Sequence, residues 1–136
     1  PWDRAVSAYT YLANGGSAAS DEDIYWSKFV NGFDSFDDFV CQWMSADNVM
    51  RNALFTPQVV FLKDSFGQLS MDFVGRFETL QADFNTIALQ LGVDAQLPHL
   101  NQSRSRPYQS FYSERSRALV AEVYAEDIAA FGYRFD

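Results

Sequence analysis

The feature that most constrains this chain is a helical apolar spacing that recurs in short stretches and is cut each time by Gly, Pro or Asn. The clearest stretch follows Ser35, where Phe36, Phe39, Val40, Trp43 and Met44 step at i, i+3, i+4, i+7 and i+8. Ser35 is an N-cap residue there, with Asp38 three positions on. Residues 1–13 read as an earlier helix: Pro1 suits its start, Asp3 its first turn, and Trp2, Val6, Tyr9 and Ala13 share a face. Arg4, Ser7 and Tyr11 share another face, and Asn14-Gly15-Gly16 ends the run. A long helix is predicted from about Phe77 to Leu91, with Phe77, Leu80, Phe84, Ile87 and Leu91 as its buried stripe and Gly92 as its stop. The last helix is predicted from about Ser113 to Phe131, with Val120, Tyr124, Ile128 and Phe131 inward and Gly132 after it.

Between these stretches the pattern changes. Residues 17–23 read as an exposed connector whose acidic run, Asp21-Glu22-Asp23, is a solvated loop or helix start. Residues 46–56 are less regular and close at Pro57. The β-branched, apolar run Val59-Val60-Phe61-Leu62 is too short for a helix, Asp64-Ser65-Phe66-Gly67 is a turn signal, and Leu69, Met71 and Phe73 alternate with Ser70, Asp72 and Val74 as a strand does. Residues 93–112 are irregular. The fold expected is therefore α/β but mostly helical, with one or two short strands, in one domain spanning residues 1–136.

Composition narrows the function. Hydrophobic residues make up 48% of the 136 and aromatic residues 17%, enough to exclude global disorder. The net charge of −8 argues against a nucleic-acid coat or a polyanionic membrane face. No apolar run is long enough for a membrane-spanning helix. The single cysteine, Cys41, excludes an internal disulfide and a multi-cysteine zinc site. The single histidine, His99, excludes His-pair metal motifs; no metal is called for, and beside Pro98 this histidine reads as a structural hydrogen-bonder. Cys41 reads as an inert thiol on an amphipathic helix. Asp37-Asp38 and Glu126-Asp127 read as solvated helix faces.

Positive charge is more informative. Arg104, Arg106, Arg115 and Arg117 stand against one acid, Glu114, a local charge of +3 on an acidic body. Arginine gives bidentate recognition of phosphate or sulfate oxygens, and Tyr108 and Tyr112 lie among these residues where they could stack on a base. Such an island suits a compact anion; pairing of the same arginines with surface acids is the plainer alternative.

Four segments carry a resemblance: PWDRAVSAYTYL at residues 1–12, FTPQVVFL at 55–62, MDFVGRFETLQADF at 71–84, and LPHLNQS at 97–103, followed by RPYQSFY and the closing YAEDIAAFGYRF. In order and spacing they resemble the carboxy-terminal part of the family 2 sulfotransferases, the group that contains carbohydrate sulfotransferases of the heparan and chondroitin type. The resemblance implies a P-loop-like α/β sandwich around a parallel sheet. It also implies transfer of a sulfuryl group from 3′-phosphoadenosine 5′-phosphosulfate to an acceptor hydroxyl, of a carbohydrate in the first instance. It makes Ser7 the serine of the 3′-phosphate motif, whose arginine partner would stand two positions before Pro1, and makes Arg104 and Arg106, in the loop 101–108, candidate nucleotide contacts.

The family's phosphosulfate loop lies upstream of the Ser7 helix, as does its base in the best-understood members, and Leu54 stands where many members read His. The resemblance therefore implies a fragment without catalytic residues of its own and without turnover alone. Arg76 and Glu78 read as a structural network at a strand-to-helix junction, and the sequon Asn101-Gln102-Ser103 as incidental. Low cysteine content and acidity suit a bacterial cytoplasm, with a Golgi lumen the alternative for a eukaryotic member. A homodimer through surface that an upstream half would otherwise cover is a further expectation. The competing reading is a non-catalytic anion-binding or protein-interaction helical module.

Overall fold

A computed structural model describes residues 1–98 and 106–136. Among them are eight α-helices and no strand: α1 (Trp2–Ala13), α2 (Asp21–Val30), α3 (Phe36–Trp43), α4 (Ala46–Val49), α5 (Gln58–Leu62), α6 (Leu80–Leu91), α7 (Glu114–Val123) and α8 (Ala125–Phe131), with 3₁₀ turns at Phe77–Thr79 and Tyr108–Phe111.

The core is built on α1 and α3. α1 buries Trp2, Ala5, Val6, Ala8 and Leu12, while Tyr9 and Ala13 are half-buried. It packs on α2, on α7 and on the turn Tyr108–Phe111; α3 packs on α7, and α5 on α8. All five stripe residues of α3 are buried, and Phe39 and Val40 are wholly inaccessible. Ser35 caps α3, its Oγ accepting from the Asp38 N–H at 3.1 Å. The aromatic content is concentrated here: Phe39 stacks on Trp43 at 4.9 Å, and Trp43 meets Trp26, Phe29 and Phe55 edge-on. Such pairs add about 0.5–1.5 kcal/mol each beyond area burial.

One expectation is decided between its two alternatives, and three change. The acidic run opens a helix, α2: Ser20 Oγ accepts from the Asp23 N–H, and Asp21, Glu22 and Asp23 fill the first turn, where the helix field favours them. The run at 59–62, read as too short for a helix, lies in the short helix α5. Pro57 sets a helix-compatible φ of −52° before it, and the Asp127 carboxylate accepts the N–H groups of Gln58 and Val59 at 2.8 Å each. The Asp64 turn forms, with Oδ1 accepting from the Phe66 and Gln68 N–H groups, but only one bridge, Lys63 to Leu69, follows it. The alternating stretch after it finds no partner strand among the described residues. The final helix breaks in two at Tyr124, whose hydroxyl donates to the Phe55 carbonyl at 2.6 Å and holds the backbone at φ −105°, ψ 25°.

The helix predicted at 77–91 is present, and Gly92 ends it in the left-handed region at φ 64°. Its stripe is not buried: Phe77 is 78% exposed, Leu91 71%, and no residue of α6 lies in the core.

Candidate functional site

Arg4, Ser7 and Tyr11 share a face of α1, as the spacing predicts, but their polar groups are committed differently. The Arg4 guanidinium donates to the Thr56 carbonyl at 2.8 Å and to the Ala53 carbonyl at 3.0 Å. Burial lowers its pKa, and the neighbouring Tyr124 and Asp127 oppose that shift. The Tyr11 hydroxyl donates to Asp23 Oδ2 at 2.7 Å, an oxygen that also accepts the Ser17 N–H. These bonds lower the Asp23 pKa, the Tyr11 hydroxyl being the larger cause. Ser7 is exposed, and its hydroxyl makes no hydrogen bond among the described residues.

Beneath this face lies a polar network that the sequence did not reveal. Asp127 is 2% exposed, not a solvated surface acid, and it caps α5. Tyr124 ties α7 and α8 to Phe55, and burial drives its phenol pKa well above the ordinary value. Thr56 is buried and donates to the Asn52 carbonyl at 3.1 Å. Arg4 joins α1 to this group. On a second side, Arg76 donates to the Phe131 carbonyl and lies over the Tyr133 ring at 5.7 Å. The Tyr133 hydroxyl reaches Glu78 at 3.4 Å. Arg76 and Glu78 thus form a structural network, although no strand precedes it.

The basic island does not converge among the described residues. Arg106 is exposed and lies over the Phe111 ring at 5.7 Å, beside a shallow pocket of about 220 Å³ lined also by Ser35, Phe36, Asp37 and Ser110. Arg117 lies over the Phe135 ring at 5.4 Å, beside a second pocket of about 110 Å³. Arg115 is exposed and adds to the forces that lower the Asp37 pKa, which come chiefly from the Ser116 and Ser113 side chains. Arg104, His99 and the sequon at Asn101 lie outside the described residues. Ser7 does not line the Arg106 pocket.

Tyr112, one of the two candidate stacking residues, is also committed: its hydroxyl donates to the Trp2 carbonyl at 2.9 Å and its ring packs on Phe36 and Phe135. Tyr108 donates its hydroxyl to the Asp136 carbonyl. Cys41 is half-buried, and burial together with Asp37 raises its thiol pKa, so the protonated, unreactive form is favoured.

Among the described residues no three metal-ligating side chains cluster, and no helix is long and apolar enough to cross a membrane. Ligand pockets usually enclose about 300–1,000 Å³, more than either concavity here. Of the residues expected to hold the nucleotide, Ser7 is exposed on α1 and lines neither concavity, whereas Arg106 lines the first. Compared with protein-family models, with curated proteins and with solved structures, the chain matches none.

Proposed function

We propose that this chain is the carboxy-terminal part of a sulfotransferase domain of the family 2 type, contributing part of the nucleotide site and no catalytic residue. The observation that carries this reading is the way the resembling segments meet. Residues 1–12 reach 55–62 and its flank through Arg4; 55–62 reaches 124–131 through Tyr124 and Asp127; 71–84 reaches the same end of the chain through Arg76 and Glu78. Segments far apart in sequence are wired together by their own motif residues, as an inherited unit would be. The finer architecture, a parallel-sheet sandwich, belongs to this proposal.

In that reading Ser7, in the second turn of α1, donates its hydroxyl to the 3′-phosphate of 3′-phosphoadenosine 5′-phosphosulfate. Arg104 and Arg106 would meet the nucleotide from the loop 101–108. The bound co-substrate would supply the sulfuryl group, and an acceptor hydroxyl, of a carbohydrate in the first instance, would receive it. A cytoplasmic setting of bacterial type belongs to the same proposal.

Calorimetric titration with 3′-phosphoadenosine 5′-phosphate tests it. Binding is expected, weakened roughly tenfold by Ser7→Ala, about the effect of one charge-assisted hydrogen bond. Absence of binding at millimolar nucleotide refutes it. That result favours the second reading, a non-catalytic interaction module, which is supported by the small pockets and by the prior commitment of Arg4 and Tyr112 to structural bonds.

A further inference from the structure

We draw no further inference here: the strongest candidate, the concavity between the start of α3 and the 3₁₀ turn Tyr108–Phe111, belongs to the candidate site already described, since its Ser35, Asp37 and Ser110 side chains are bound to Asp38, the Ser113 N–H and the Pro107 carbonyl and its exposed Arg106 is the nucleotide contact proposed above.

Discussion

The buried carboxylate of Asp127 is the most informative single perturbation. It accepts two backbone N–H groups at 2.8 Å, and one donor, Val59, is itself only 1% exposed. In Asp127→Ala both amides at the start of α5 lose their partner, and at least one stays out of water's reach. Hydrogen bonds to charged groups contribute about 1.5–3 kcal/mol each, so the pair accounts for about 3–6 kcal/mol. A domain of this size has roughly 5–15 kcal/mol in all, so the variant should lose about a fifth or more of its stability. Asp127→Asn keeps one acceptor oxygen and should lose about half as much. Glu126→Ala is the control: its partner Lys63 is half-buried, but the Glu126 side chain is 59% exposed, and such solvent-screened pairs contribute about 0–1 kcal/mol. Urea unfolding followed by circular dichroism and by tryptophan fluorescence, fitted for both midpoint and slope, measures all three. An Asp127→Ala loss below about 1 kcal/mol at unchanged slope, or one no larger than that of Glu126→Ala, would refute the capping argument.

Tyr124→Phe removes the 2.6 Å bond to the Phe55 carbonyl and should cost about 1–3 kcal/mol in the same assay. Phe66→Ser, at an 87% exposed position, should change monomer stability by less than about 0.5 kcal/mol. Acid should destabilise the fold through Asp37 and Asp83. Both have pKa values lowered from an ordinary 3.8, Asp37 chiefly by the Ser116 side chain and Asp83 chiefly by the Arg76 N–H. Because the folded values lie below the unfolded ones, this stabilisation is present above the unfolded value and is lost as pH falls through the folded values. Urea midpoints measured from pH 7 to pH 3 should therefore fall below about pH 4 on this account, and less so in Asp37→Asn.

The α3 stripe was legible because its apolar spacing and its cap agreed, and its burial is decided within the helix and its nearest neighbours. The α6 spacing was equally regular, but periodicity states only that a face is apolar, not that anything covers it. The run at 59–62 reads as too short for a helix, and it is helical for a long-range reason: an aspartate 68 positions away supplies the acceptor that starts it. The last helix looked continuous because nothing in its sequence marks Tyr124 as a break; the bond that pins it is to a residue 69 positions distant. Among candidate site residues, Ser7 lies exposed on the α1 face that its spacing implied. The fate of Arg4 was not legible, since two carbonyls across the fold claim its guanidinium.

The residues that carry the resemblance therefore divide into two groups, and the division can be measured. Arg4, Tyr124, Asp127, Arg76 and Glu78 are bound to other parts of the chain; Ser7 and Arg106 face solvent. Residues joined through a shared polar group couple by about 0.5–3 kcal/mol, whereas distant residues add independently within about 0.3–0.5 kcal/mol. Arg4 binds the Thr56 carbonyl and Asp127 binds the Gln58 amide, on either side of Pro57, so each holds the turn that the other needs. A double-mutant cycle with Arg4→Met and Asp127→Asn should show coupling in that upper range by urea unfolding. The cycle with Ser7→Ala and Asp127→Asn should show none. Coupling to Ser7 as strong as to Arg4 would mean that the serine belongs to the structural network, and α1 would then keep no free hydroxyl for an anion.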